Sequence, residues 1–272
     1  MQATGNTQNP NKSLSIRVCT DGLSFCVYAP SEAEPYKYIT YKVNHTISLA
    51  ANLKQALLNE PVLKEQYQRV NVLVTTPKFT TVPVVHFKSE EIEDIFSFNF
   101  PKEAPQHISY NVLRRSGIAI IFGLEKSIYQ LIRDDFPRAR FYASASTLIE
   151  FFAEKSIFGN NKKMFVYLHE SEMTVYCLNQ GVMLFANTFP VKTIDDIQYY
   201  ILNVWQQLGY DQIDDSLLIV SDKNQHPNLA SKISYFINKV ETIDPSEDFR
   251  NTITKGHTNI PYDLQTLLVC GF

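Results

Sequence analysis

An order of elements that occurs twice constrains this chain more than any single motif. Residues 14–18 alternate apolar and polar side chains, Thr20, Asp21 and Gly22 interrupt them, and residues 23–28 alternate again, which is the pattern of a tight β-hairpin. A third strand at 38–43 follows, then a helix starting at Ser48 with Leu49, Leu53, Ala56 and Leu57 at helical spacing, then a strand at 70–75. The same order returns with strands at 164–169, 173–178 and 182–189, the last two joined by Asn179, Gln180 and Gly181. Ile194, Ile197, Ile201, Val204, Trp205 and Leu208 then mark a helix that Gly209 stops, and a strand follows at 217–220. Two long units of equal order imply an internal duplication. The expected fold is α/β and two-lobed, each lobe a mixed sheet of three meandering strands, a helix and a strand, flanked by helices.

Between the units, strands at 108–113 and 118–122 join across Arg114, Arg115, Ser116 and Gly117. A helix at 125–133, a short strand at 140–143 and a helix at 144–155 come next. The polar stretch 159–163 then places the lobe boundary, giving lobe I as 13–159 and lobe II as 160–272. Residues 1–12, rich in Asn, Gln and Thr, read as a disordered lead-in without the basic and apolar regions of a secretory signal. Near the end, Pro227 opens a helix expected to turn Ile233, Phe236 and Ile237 inward, and 267–272 read as a final strand. Residues 75–83, with four threonines and two prolines, read as a structural turn in preference to a recognition loop, Phe79 covering the core while the hydroxyls satisfy backbone groups.

Composition narrows the function classes. At 272 residues, 44% hydrophobic and 12% aromatic, the chain can bury a substantial core. A net charge of −3 with no Lys/Arg block argues against nucleic acid as a partner. The longest apolar run, 118–124, falls far short of the roughly 20 residues of a membrane span. Four cysteines with no CxxC pair lie in apolar, strand-like stretches and read as reduced, buried thiols of a cytoplasmic protein. With Asp21 and Gly22 as turn residues, Leu14, Ile16, Val18, Phe25 and Val27 share one face of the first hairpin. Ser15, Arg17, Cys19, Ser24 and Cys26 share the other, with Cys19 opposite Ser24 and diagonal to Cys26.

The duplicated order resembles the actin-like ATPase superfamily, a duplicated ribonuclease H-like fold. Within it the chain is most similar to bacterial assembly proteins of the PilM and FtsA type and to an uncharacterised bacterial family of the same fold. The resemblance runs from Leu14 to the end and lies in pattern. It implies three nucleotide elements. The first is a strand ending in an Asp that organises a metal ion, before a small-residue turn whose N–H groups hold phosphate. Here Arg17 takes the place of that Asp, and Asp21 lies in the turn. The second, Asp-x-Gly-x-Thr, falls on His169-Glu170-Ser171-Glu172-Met173-Thr174, which has no glycine and places carboxylates where phosphate belongs. The third, a strand and a Gly-Gly pair, falls on 217–220 followed by Ser221, Asp222 and Lys223, again without glycine.

The resemblance with these departures implies a non-catalytic scaffold that binds another protein, in an assembly or envelope-associated complex, without a cofactor. The alternative is a divergent ATPase or small-molecule kinase holding ATP and Mg between the lobes, with Asp21, Gly22, Ser24, Glu170, Thr174 and Ser221 nearest to the ligand. A cleft reused for an unrelated small ligand is a third reading. No catalytic residue and no metal ligand is assigned. Strand alternation sends His169 to one face and Glu170 and Glu172 to the other, which speaks against a metal cluster. Asp195 and Asp196 suit a helix N-terminus, Asp214 and Asp215 a connecting loop, and Arg114 and Arg115 a solvated turn. No G-x-S-x-G elbow supports a hydrolase.

Overall fold

The computed structural model describes residues 12–20, 22–100, 106–169, 171–221, 226, 228–257 and 259–270. Alternation becomes strands in the expected order: β1 (Ser13–Cys19), β2 (Gly22–Tyr28) and β3 (Tyr36–Tyr41), the last lying two residues before the expected 38–43, then α1 (Leu49–Asn59) and β4 (Arg69–Val74). Ser48 Oγ caps α1 by accepting from the Ala51 N–H at 3.1 Å. Fully buried Asn52 pins the approach, its amide donating to the Asn44 and Ser48 carbonyls at 2.9 and 3.0 Å. Next come β5 (Phe79–Pro83), α2 (Ile92–Asn99), β6 (Gln106–Leu113), β7 (Ile118–Glu125), α3 (Lys126–Asp135), β8 (Arg140–Ala143) and α4 (Ser144–Ser156).

The second run comprises β9 (Lys163–His169), β10 (Glu172–Asn179), β11 (Val182–Pro190), α5 (Ile194–Gln207) and β12 (Ser216–Ser221). Gln180 and Gly181, at φ 48° and 83°, supply the left-handed residues that a two-residue hairpin turn requires. A capping box of Thr193 and Asp196 starts α5. The chain ends with α6 (Leu229–Ile233), β13 (Lys239–Thr242), α7 (Pro245–Asp248) and α8 (Tyr262–Cys270). Among the described residues no helix is long and apolar enough to cross a membrane.

The duplication is explicit in the sheets. The first has the order β3-β2-β1-β4-β8 and the second β11-β10-β9-β12-β13, the same topology built twice; β5-β7-β6 form a third sheet of three strands. The chain divides into two compact units, neither of them one stretch of sequence. One takes the described residues of Met1–Thr75, Ala104–His107 and Leu124–Tyr142, the other those of Thr76–Glu103, Ile108–Gly123 and Ala143–Phe272. The expected cut at 159/160 falls inside the second unit.

In the first unit Leu14, Ile16, Phe25 and Val72 are fully buried, as are Leu53 and Ala56 of α1 and Ile132 of α3. In the second, Met164, Val166, Val175, Ile197, Ile201, Leu217 and Ile233 form one core between the sheet, α5 and α6. The other face of β9 and β10 carries Phe165, Tyr167 and Tyr176, with Phe152 of α4 stacked on Phe165 at 4.4 Å and Tyr262 of α8 lying 6.3 Å from Tyr167.

Several expectations are corrected. Residues 267–270 are helical, continuing α8, whose first turns are bound to α4 through hydroxyls and a carboxylate. Ser144 Oγ donates to Asp263 at 3.0 Å, and Thr266 Oγ1 donates to Thr147 Oγ1 at 2.9 Å. Cys270 is thus helical; Phe272 lies outside the described residues. In the first hairpin Cys19 faces Gly22 and Arg17 faces Ser24, two positions from the expected register, because Gly22 opens β2 instead of sitting in the turn. The assignment of residues to faces is unchanged, a slip of two preserving alternation. The four cysteines are free, and Cys26 faces Ser15.

Residues 79–83 form a strand against β7, not a turn, although Phe79 is buried and Thr76 Oγ1 accepts from the Lys78 N–H at 3.1 Å. Phe236 is 46% exposed because α6 ends at Ile233, while Ile233 and Ile237 are buried. Pro227 and residues 1–11 lie outside the described residues. Lys12, counted with the lead-in, is held by Glu65 and by the Gln68 N–H, which donates to its carbonyl at 2.9 Å.

Candidate functional site

The residues singled out for nucleotide contact fall at the ends of two equivalent hairpins, β1–β2 and β9–β10, and at the end of β12. On the polar face of the first sheet, Arg17 of β1 lies between Ser24 of β2 and Leu73 of β4. The row before it pairs Ser15 with Cys26 and Asn71, and the row after it pairs Cys19 with Gly22. Arg17, Ser24, Asn71 and Thr75 are all buried. Ser24 Oγ and Asn71 Oδ1 are buried without a hydrogen-bond partner, a feature that costs stability unless something satisfies it. Among the described residues of β1 to β4 this face carries two guanidinium groups, that of buried Arg17 and that of exposed Arg69 in the Ser13 row.

The hairpin end is tight. The Cys19 thiol donates to the Gly22 carbonyl at 3.3 Å, and a Cβ on Gly22 would meet that sulfur at 3.4 Å. Burial raises the Cys26 thiol to about 12, so it stays protonated at neutral pH. Asp21 lies outside the described residues.

The second hairpin ends in the same way. His169 pairs with Glu172, and the Val191 N–H donates to the Ser171 carbonyl at 2.9 Å, drawing the end of β11 against the turn. The expected separation of His169 from Glu172 is incorrect: the reversal of the chain puts them on one face, His169 Nε2 lying 3.9 Å from Glu172 Oε2. Thr174 is buried, and its hydroxyl shares a 2.9 Å hydrogen bond with that of Thr188. Glu170 lies outside the described residues.

Ser221, the last residue of β12, pairs with Leu168, and its Oγ is buried without a partner. Leu168 faces the α5 core, whereas Thr174 shares its row with Tyr167 on the aromatic face. Ser221 and Thr174 are therefore on opposite faces of one sheet and do not converge. Gly22 and Ser24 sit on β2 in the other compact unit. Among the described residues no group of three or more His, Cys, Asp or Glu side chains could hold a metal ion.

The carboxylates that sequence reasoning left structural have clear tasks. Asp196 accepts from the Lys192 and Thr193 N–H groups at 3.0 and 2.9 Å, which holds its carboxyl below the usual range. Asp215 is buried and accepts from the Lys162 and Asp211 N–H groups, both at 2.7 Å, tying the loop before β12 to the start of β9. Sequence reasoning missed Asp263, fully buried at the α4–α8 contact; its place in a segment read as leading into a strand concealed it.

Comparison with known proteins matches this arrangement to one family model, described as Protein of unknown function (DUF3822), over residues 2–240. Among solved structures, a Bacteroides thetaiotaomicron VPI-5482 protein with actin-like ATPase fold and unknown function is 33% identical. The match covers 96% of this chain and 97% of that one, with a TM-score of 0.84. A chain of the PilM–PilN type IV pilus biogenesis complex is 10% identical over 87% of this chain and 89% of its own, with a TM-score of 0.46. The ethanolamine utilization protein EutJ from Carboxydothermus hydrogenoformans is 10% identical over 95% and 90%, also with a TM-score of 0.46. No curated protein matches the chain. The actin-like fold expected from the duplicated order is the fold of the Bacteroides protein.

Proposed function

This chain belongs to the family described as Protein of unknown function (DUF3822) and has the actin-like ATPase fold, and we propose that it is a non-catalytic scaffold that binds another protein. The observation that carries this reading is Arg17, buried near the end of β1 at the position where the resemblance calls for a metal-ordering Asp. A guanidinium keeps its charge at any working pH, so a divalent cation brought beside it is repelled. A buried guanidinium at that position supports a site that does not take a magnesium nucleotide. Two further features point the same way. The Glu172 carboxylate stands at the second turn, where phosphate would have to approach, and the Thr174 hydroxyl is committed to Thr188. The buried, protonated thiols suit a reducing cytoplasm.

The test is calorimetric titration of the full chain with ATP and with ADP in excess Mg²⁺, alongside a hydrolysis assay. The expected result is no heat and no turnover; micromolar binding would overturn the reading. Capture of the same protein partner with and without added ATP is the positive counterpart.

One observation favours a second reading, that of a divergent ATPase or kinase. The orphaned Oγ atoms of Ser24 and Ser221 would each be satisfied by a polar ligand atom. If titration detects binding, Asp21, Gly22, Ser24, Glu170, Thr174 and Ser221 are the positions to mutate first.

A further inference from the structure

Between β13 and α8 the chain passes from Asp244 to His257 with one short helix, α7. Its hydrogen bonding turns inward. The N–H groups of Glu247, Asp248, Phe249, Thr252, Lys255 and His257 donate to carbonyls between Asp244 and Thr254, at 3.0 to 3.3 Å. Asp244 Oδ1 accepts from the Ser246 N–H at 2.8 Å, and the Thr252 and Thr254 hydroxyls share a bond of 2.9 Å. Both ends are fixed. The Ile243 N–H donates to the Ile219 carbonyl of β12 at 2.8 Å, and the carbonyl of buried Ile260 accepts from the Gln265 amide at 2.9 Å. A segment that satisfies its own backbone between two fixed ends can lift away without breaking a sheet ladder or a long helix.

Two adjacent residues hold this segment to the helices beneath it. Asp248 Oδ1 accepts from Lys155 Nζ of α4, and Oδ2 accepts from the Tyr262 hydroxyl of α8 at 2.6 Å, so one carboxylate bridges both helices. The Lys155 and Asp248 side chains are 32% and 12% exposed, a pair partly withdrawn from water. Phe249 is 2% exposed; its ring stacks on Phe151 at 5.4 Å and meets Tyr262 edge-on at 5.1 Å. The contact of α4 with α8 has bonds of its own, from Ser144 to Asp263 and from Thr266 to Thr147.

We propose that residues 244–257 form a strap that opens as one unit from α4 and α8, with Asp248 as its latch. Opening breaks both bonds to the Asp248 carboxylate and withdraws Phe249, while the turns inside the strap stay formed. It bares the rings of Phe151 and Tyr262, an aromatic patch that the closed chain covers. The two helices keep the bonds they make to each other, so the strap opens far more often than they separate. The device does not depend on whether the chain binds nucleotide.

Hydrogen exchange of the full chain, read by mass spectrometry as protection factors, tests it, with circular dichroism to verify that each variant is folded. In the wild-type chain the strap amides are expected to be at least about tenfold less protected than those of α4 and α8. Asp248→Asn and Lys155→Met should each lower strap protection a further tenfold or so, a difference of about 1.4 kcal/mol, with α5 and β9 unchanged. The double variant should match either single one, because both remove the same bridge. Trypsin cleavage after exposed Arg250 and Lys255 should accelerate in parallel. Strap amides that exchange together with α4 and α8 in the wild-type chain overturn the proposal. So do variants that lower protection equally throughout the second unit, or that leave the strap at its wild-type rate.

Discussion

The first and second sheets share a strand order, β3-β2-β1-β4-β8 against β11-β10-β9-β12-β13, yet bury opposite kinds of side chain on equivalent faces. In each, one face is apolar: Leu14, Ile16 and Phe25 in the first, Met164, Val166 and Val175 in the second. The other face of the first sheet carries Ser15, Arg17, Ser24 and Asn71, all buried and polar. That of the second carries Phe165, Tyr167 and Tyr176 beneath Phe152 and Tyr262. A duplicated topology therefore needs only one conserved-in-kind apolar face per sheet, and the second face is free to specialise. The rings there add burial and leave few polar atoms to satisfy, the Tyr262 hydroxyl donating to Asp248 at 2.6 Å, whereas buried hydroxyls and amides cost stability wherever they lack a partner.

If the aromatic face supports the second unit, removing its centre should have the largest effect of any single change. Phe152 is fully buried and touches Phe165, Tyr176 and Tyr262, so Phe152→Ala should cost about 3–5 kcal/mol, read by urea unfolding. A loss below about 1 kcal/mol, the size of a surface change, would break the comparison.

The two sheets should respond alike to alkali, since each buries a thiol: Cys26 in the first and Cys177 in the second, both raised by burial from 9.0 to about 12. Below pH 9 the thiols are protonated in both the folded and the unfolded chain, and their contribution is fully present. Between pH 9 and 12 the unfolded chain loses protons that the folded one keeps, so stability should fall as pH rises through that window. Unfolding midpoints across the window measure this, and iodoacetamide should label neither cysteine at pH 8 until the chain is denatured.

A smaller effect tests the junction between β11 and α5. Thr193→Ala removes a side chain that accepts from the Asp196 N–H at 3.2 Å and should cost about 1 kcal/mol in thermal or urea unfolding. Lowering the pH through the depressed range of Asp196 should weaken the same cap, because its carboxylate accepts from the Lys192 and Thr193 N–H groups only while ionised.

What could be read from the sequence follows the same division. Apolar alternation and three- and four-residue spacing expose every strand of both meanders, together with α1, α3, α4 and α5, because those faces are filled by residues whose burial is local and regular. α8 was not legible: Asp263, Gln265 and Thr266 are buried in it, and that burial is tolerable because the hydroxyls of α4 meet Asp263 and Thr266 while the Ile260 carbonyl accepts from the Gln265 amide. α2 hides for the opposite reason, burying Phe96 alone. The first hairpin's register misled because Asp-Gly is a strong turn signal, while here Gly22 begins a strand beside the Cys19 sulfur. At the candidate site, the grouping of Arg17 with Ser24 on one face was legible from alternation. The orphaned Ser24 Oγ was not, since satisfaction of a buried hydroxyl depends on atoms distant in sequence.

That atom gives the finest test of the comparison. Ser24 is 4% exposed, its Oγ is buried without a partner, and Arg17 is its cross-strand neighbour. An unsatisfied buried hydroxyl costs on the order of 1 kcal/mol, and alanine keeps the Cβ while removing the polar atom. Ser24→Ala should therefore be neutral or stabilise the chain by up to about 1 kcal/mol, opposite in sign to every change on the aromatic face. Urea unfolding of the ligand-free protein reads it directly. A destabilisation of about 1 kcal/mol or more would mean that the hydroxyl is satisfied in solution, and the polar face would then be as complete in itself as the aromatic one.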